Sequence, residues 1–266
     1  MKVTQIYIYP VKSLGGISLN NSQLSDRGLE FDRRWLLINE EGEVMTQRSY
    51  PSLVYFLTLI RKDGIGIVFS KDGSQCLIPF QTSSSKREKV SVWGDEFEMV
   101  EVSKAVSHWF SDKLGEQVRL MYQPDDSLRF IDPRYAVTDK DVVSTADGYP
   151  VLMISEASLE DLNGRLDEPV EMLRFRPNLV IDGIEAYAED NLGSIKIGEA
   201  ELIGVKNCGR CVMVTIDPKE ATLGKEPLKT LSTYRKDGSK VLFGRNFLVG
   251  SNGAIQVGDS VELVTF

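Results

Sequence analysis

Apolar and polar residues alternate through the start of the chain, where Val3, Ile6, Ile8 and Tyr9 stand among polar neighbours, and this period of two predicts a strand. Trp35-Leu36-Leu37-Ile38 and Val44-Met45-Thr46, separated by Asn39-Glu40-Glu41-Gly42-Glu43, predict a hairpin. Ile65 to Phe69 and Gln75 to Ile78, across Lys71-Asp72-Gly73, predict another, with Cys76 as an ordinary strand residue. From 103 to 114 the spacing of Val106, Trp109, Phe110 and Leu114 turns helical, and Gly115 is the stop. Later, Ser155 caps a predicted helix carrying Leu159, Leu162 and Leu166, which Pro169 ends. Leu179-Val180-Ile181, Ile195-Lys196-Ile197, Ala200 to Ile203 and Val212-Met213-Val214 read as short strands, and Pro227 opens a short helix through Leu228, Leu231 and Tyr234. Phe247 to Val249 and Val261 to Val264 read as closing strands. Ser83 to Lys86 is a polar loop, and the turn-rich Gln123-Pro124-Asp125-Asp126-Ser127 divides the chain into units 1–122 and 123–266. The pattern predicts a mainly β chain with α+β elements, barrel-like in its second unit, with a few covering helices.

Composition narrows the function. The 266 residues suffice for one large or two ordinary domains, and 42% apolar with 26% charged residues is ordinary for a globular protein. A net charge of −8, with no run of like charges, argues against nucleic acid as a partner, because such binding rests on phosphate neutralisation by a basic face. Met1 to Pro10 lacks a secretory pattern, and no apolar run approaches a membrane span, so the expectation is a cytoplasmic protein without membrane contact. Three cysteines make no disulfide framework and suit a reducing compartment.

The candidate chemistry gathers around Asn207-Cys208-Gly209-Arg210-Cys211. A thiol is nucleophilic and metal-binding once ionised, and positive neighbours such as Lys206 and Arg210 favour that form. An isolated Cys is as often a small buried hydrophobe, so the sequence leaves both readings open. The lone histidine, His108, removes most hydrolytic constellations, and it lacks a local Ser or Cys partner. One Cys-x-x-Cys pair without a second pair or a nearby His does not close a zinc site, and the βαβ setting of a thioredoxin-like redox motif is missing. No phosphate loop is present, and Gly64-Ile65-Gly66 lacks the third glycine of a dinucleotide site. Four further clusters offer fixed donors or charges: Tyr9-Pro10-Val11-Lys12-Ser13, Asp32-Arg33-Arg34-Trp35, Ser144 to Pro150, and Arg174-Phe175-Arg176-Pro177-Asn178.

Taken in order, Tyr9 to Ser13, Asp32-Arg33 with Trp35, Phe175 to Asn178, Cys208 to Cys211 with Thr215-Ile216-Asp217-Pro218, and Glu226-Pro227-Leu228 with Thr230-Leu231 and Tyr234-Arg235 carry a family resemblance. The chain resembles MOSC-domain proteins with an N-terminal β-barrel domain, a group that includes the amidoxime-reducing molybdenum enzymes and their bacterial relatives. The resemblance spans nearly the whole chain. It implies an N-terminal MOSC barrel over 1–122, a MOSC barrel over 123–266, and a molybdenum cofactor of the molybdopterin type whose metal is bound by Cys211. It further implies that Lys12, Ser13, Arg33, Arg176 and Arg210 hold the cofactor, with Thr145, Asp147 and Asn178 as polar candidates. An anionic cofactor in a protein of charge −8 needs a local basic pocket, and forked Arg donors match phosphate oxygens. Asp217 is a candidate proton relay beside Cys211, although Asp before Pro is also an ordinary turn former.

By this resemblance the chain is an oxidoreductase that reduces small N-hydroxylated molecules. Two departures qualify the transfer. Leu14 stands where many relatives have a cysteine, and the 266 residues contain no Cys-x4-Cys-x2-Cys run for an iron–sulfur cluster. Electrons are therefore expected from a separate donor protein of flavoprotein, ferredoxin or cytochrome type. The alternative is a protein that binds molybdopterin, or carries sulfur on Cys211, without turnover of its own.

Overall fold

The computed structural model describes residues 1–82 and 85–264. Ser83 and Ser84 of the expected polar loop lie outside the described residues. The fold is mainly β, with three α-helices among the described residues. Its principal sheet runs, in spatial order, Val261–Leu263, Ser194–Ile197, Ala200–Arg210, Lys240–Ser251, Val151–Ser155, Leu179–Asp182, Lys2–Ile8 and Ile17–Leu19, with Lys236–Asp237 paired to Lys240–Ser251. Among the described strands of this sheet, the pairing of Val151–Ser155 with Leu179–Asp182 is parallel and its neighbours are antiparallel. Val3 N donates to Asp259 O at 2.9 Å and Val261 N to Met1 O at 2.8 Å, so the sheet curls until its last strand meets its first chain segment. Curling covers the inward faces, and Ile6, Ile8, Met153, Leu179, Ile195, Leu202 and Phe247 form the core inside.

The other sheets belong mostly to the first half. Trp35–Ile38, Arg119–Tyr122, Asp95–Glu101 and Arg87–Val92 form a four-stranded antiparallel sheet, and Phe56–Arg61, Gly64–Phe69 and Gln75–Pro79 a three-stranded one. Around them pack Trp35, Leu37, Phe56, Ile65, Phe110 and Leu120 as a second core. The expected hairpins at 35–46 and 65–78 are present, the first as an Ile38–Val44 bridge and the second as a full ladder. The helix Lys104–Leu114 begins at Ser103, whose hydroxyl accepts from Val106 N, and ends at Gly115 with φ +74°. A left-handed C-terminal position costs Gly nothing sterically, which is why the helix stops there. Glu156–Asn163 is likewise capped by Ser155, and Leu228–Tyr234 follows Pro227.

Two expectations are corrected in detail. Val212 to Thr215 is a 3₁₀ turn, since Val214 N bonds Cys211 O and the Thr215 hydroxyl donates to Val212 O at 2.7 Å; local bonds replace a ladder. Leu166 lies past the end of its helix yet still packs against the core it shares with Leu162. Strands Lys2–Ile8 and Ile17–Leu19 of the first half join the sheet built by the second half. No described helix is long and apolar enough to cross a membrane.

Candidate functional site

Strand pairing brings the scattered motifs together. Tyr9 to Ser13 follows the strand Lys2–Ile8, and Arg176 to Asn178 precedes Leu179–Asp182; these strands are antiparallel with Ile6 opposite Leu179, so the two segments meet. Tyr7 N donates to Asn178 O at 2.8 Å, and the Asn178 side chain is spent on the junction, donating to Tyr7 O and accepting from Leu152 N and Arg33 Nη1. Asp32 stitches in the next segment, accepting from Tyr9 N at 2.8 Å and Arg33 Nη1 at 2.6 Å. Thr145 Oγ1 donates to Arg33 O at 2.6 Å and tethers the segment that carries Asp147.

These segments line a cavity of about 680 Å³ together with Cys208, Arg210 and Cys211 at the end of strand Ala200–Arg210. Of the residues expected from sequence, Lys12, Ser13, Arg33, Asp147, Arg176, Asn178, Arg210 and Cys211 all line it. Thr145 is fully buried behind them and acts through Arg33, and Asp217 does not line the cavity. The Asp217 carboxylate instead accepts from the backbone N–H groups of Glu220 and Lys219, which hold it below the usual carboxylate range. His108 sits exposed on its helix, away from the cavity.

Charge distinguishes this cavity. Nine cationic side chains line it against one carboxylate, Asp147, in a chain of net charge −8. Sequence reasoning missed Arg48, Trp93, Arg134 and Lys240, which reach the cavity from loops and a strand end and carry no motif of their own. Arg33 and Arg176 both stack on Tyr9, their guanidinium carbons 4.4 and 4.2 Å from its ring centroid. Burial, and then the charge of Arg33, push the Arg176 guanidinium down to about 10, so an anion placed here relieves like-charge repulsion. Lys12 Nζ donates to Asp147 Oδ1 at 2.6 Å and to Thr145 O at 2.9 Å. Burial lowers the Lys12 ammonium from its ordinary value against the pull of Asp147. Desolvation works to raise the Asp147 carboxyl, but Lys12, with help from Trp93 and Arg48, holds it well below its usual range.

Backbone geometry and an unsatisfied donor mark the same place. Four of the seven described non-glycine residues with positive φ line the cavity: Ser13 at +68°, Arg33 at +48°, Trp93 at +57° and Arg176 at +55°. Each such conformation costs about 1–3 kcal/mol and persists where the surroundings enforce it. Arg210 donates through Nε to Phe243 O and through Nη1 to Phe175 O, both at 2.8 Å. Its Nη2 is buried without a partner, although it belongs to a residue on the cavity wall. A buried N–H left unpaired costs about 1–3 kcal/mol, so the donor set is incomplete without an acceptor in the cavity. Cationic forks, an orphaned guanidinium N–H and a half-buried cysteine fit an anionic, metal-bearing cofactor.

Comparison with known proteins agrees with this geometry. Residues 1–117 match the MOSC N-terminal beta barrel domain, and residues 140–262 match the MOSC domain. The human mitochondrial amidoxime-reducing component 1 is 36% identical over 284 residues, spanning 98% of this chain and 82% of that protein. This chain belongs to the MOSC family. Rat mitochondrial amidoxime reducing component 2 is 33% identical over 97% of this chain and 82% of its own length. The molybdenum cofactor sulfurase of Oryza sativa subsp. japonica is 33% identical over 96% of this MOSC protein but only 35% of the rice enzyme. Relatives of both kinds tie this MOSC protein to molybdenum-cofactor-related enzymes.

Proposed function

We propose that this MOSC protein is a molybdenum-cofactor-dependent reductase of N-hydroxylated compounds such as amidoximes, hydroxylamines and N-oxygenated bases. The observation that carries the reading is the cationic cavity, closed on one side by Arg210 with its unpaired Nη2 and holding Cys211 on its wall. Lys12, Ser13, Arg33, Arg176 and Arg210 would hold the anionic cofactor, and Cys211 would supply the metal ligand. When bound, that cofactor supplies two-electron redox chemistry. In the overall reaction the N–O bond breaks, two electrons and two protons enter, and water leaves beside the N–H product.

The chain's own residues bind and orient. Arg33 and Arg176, fixed by Tyr9, Asp32 and Asn178, present donors that need no reorganisation. Lys12 and Asp147 add a paired charge at the cavity wall, and Asp147 can accept a hydrogen bond from an N–H group. With its carboxylate committed to a turn, Asp217 stays outside the relay that the sequence suggests. A separate protein of flavoprotein, ferredoxin or cytochrome type would deliver electrons. Free cysteines suit a cytoplasmic setting. The two sequence units would meet near 122/123 and share the principal sheet.

Metal analysis of the purified chain, followed by amidoxime reduction with an artificial electron donor, tests this reading. Molybdenum bound with turnover is the expected result. The presence of Cys208 and Cys211 on one wall, together with the rice sulfurase relative, favours a second reading, a carrier of molybdopterin or of sulfur on Cys211. Molybdenum without turnover, and cyanide-labile sulfur on Cys211, would select the carrier.

A further inference from the structure

The Asp32-Arg33-Arg34-Trp35 cluster is divided between two cavities. Arg33 lines the cationic one, whereas Arg34 and Trp35 line another of about 440 Å³ that shares no wall residue with the first. The wall of this other cavity carries two buried polar atoms without a partner. Trp35 is 1% exposed with its Nε1–H unpaired, and the Nε–H of Arg34 is unpaired as well. Arg34 spends its Nη2 instead, donating to Gln123 O at 2.6 Å and to Asp125 Oδ1 at 2.7 Å. The Trp35 ring and the Arg34 guanidinium carbon lie 5.2 and 5.3 Å from the centroid of the Tyr122 ring, so both orphaned donors come from neighbours of one side chain. An indole nitrogen only donates, and a buried donor without a partner is rare in a folded protein, so the pair is satisfied only by acceptors brought in from outside.

The rest of the lining gives those acceptors a shape. Phe31 and Phe80 are half-buried and stack with centroids 4.6 Å apart and planes 15° from parallel, forming a flat apolar wall. Phe31 is held at φ +66°, a left-handed conformation that a bulky residue rarely takes. Charge narrows the ligand further. Of the cations on the wall, Arg34 pairs with Asp125 at 2.7 Å and Arg27 faces Asp26 at 3.9 Å, while the carboxylate of Glu30 stands exposed in the same lining. An anion would meet three carboxylates here, and a cation without acceptor atoms would leave both orphaned donors unpaired. The ligand that fits is uncharged, flat and equipped with acceptors.

We propose that this cavity is a second ligand site, for an uncharged planar heteroaromatic ring that carries carbonyl acceptors. The ring lies against Phe31 and Phe80, and its oxygen accepts from the donors of Trp35 and Arg34. Glu30 can accept from a ring N–H, as a lactam provides. The volume suits one or two fused rings. The inference goes beyond the reductase reading and stands or falls apart from it, because the two cavities share no wall residue.

The test measures calorimetric binding of 2-quinolone, a two-ring lactam, to the full chain, against naphthalene and 2-naphthoate, which keep the flat shape and change only the polar group. The quinolone is expected to bind about tenfold tighter than either. Trp35→Phe removes the N–H and keeps a ring, and should weaken the quinolone about fivefold while leaving naphthalene within about twofold. Trp35 belongs to the core, so Phe80→Ala, at a half-buried wall, serves as the second variant and should weaken both uncharged probes about fivefold. Three results overturn the inference: a quinolone that binds no tighter than naphthalene, a naphthoate that binds tighter than the quinolone, or native affinity for the quinolone in folded Trp35→Phe or in Phe80→Ala. Absence of binding by all three probes would leave water as the sole occupant and overturn it equally. Failure to reduce an amidoxime would sink the reductase reading and leave each of these outcomes untouched.

Discussion

Lys12 Nζ meets Asp147 Oδ1 at 2.6 Å across 135 positions of sequence, and this one contact joins the first segment of the site to the loop before strand Val151–Ser155. The pair is asymmetric. The Lys12 side chain is 7% exposed, whereas that of Asp147 is 58% exposed. Removing the carboxylate therefore strands a buried ammonium, while solvent at the Asp147 end limits the damage.

Asp147→Asn is expected to cost about 1–2 kcal/mol at pH 7, read from urea unfolding. The sign of its pH dependence follows from the depressed carboxyl. A folded value below the unfolded one, near 3.9, adds stability that is complete above about pH 4 and fades as pH falls through the folded value. The gap between native and variant protein should thus narrow in acid and close only well below pH 4. A gap independent of pH would show that the pair contributes through packing alone.

Cys211→Ala should abolish molybdenum retention, while Cys208→Ala should retain it, as measured by metal content of the purified chains. Neither cysteine is fully buried, so compared in the cofactor-free form both variants should keep native stability to within about 0.5 kcal/mol. Equal metal content in the two variants would remove Cys211 from the proposed metal site.

Arg210→Lys keeps the charge and loses the fork. A lysine has one nitrogen and cannot reproduce the spacing between the Nε that donates to Phe243 O and the Nη1 that donates to Phe175 O. About 1–3 kcal/mol of stability should be lost through the abandoned carbonyls, together with most of the bound cofactor. Chemical denaturation and cofactor content measured on the same sample separate the two effects.

Asp217→Asn should leave turnover within about twofold of native, because the amide oxygen can still accept from Lys219 and Glu220. The pH–rate profile is the sharper measurement. Loss of one limb of that profile would return Asp217 to the role of proton relay.

Much of the fold is legible in the chain because its elements obey local rules. Ser103 and Ser155 cap helices where the helical spacing begins, Gly115 ends one with a left-handed turn, and the turn residues Lys71-Asp72-Gly73 mark the strands that pair at 65–78. The site motifs are legible as well, since Lys12, Arg33, Arg176, Arg210 and Cys211 lie in short distinctive runs. Val212 to Thr215 misled because a three-residue apolar run fits a strand and a buried turn equally, and only the bond from Thr215 Oγ1 to Val212 O distinguishes them.

Sequence alone determined the period of each element, the charge of −8 and the identity of the groups able to bind an anion or a metal. Tertiary structure decided what those groups face. Strand Lys2–Ile8 pairs with Leu179–Asp182, far along the chain, and that pairing brings Arg176 over the Tyr9 ring, which Arg33 also covers. Trp93 and Arg48 carry no local signal for the same reason. Side-chain chemistry is written residue by residue, but convergence depends on long-range backbone pairing, which short-range periodicity does not encode.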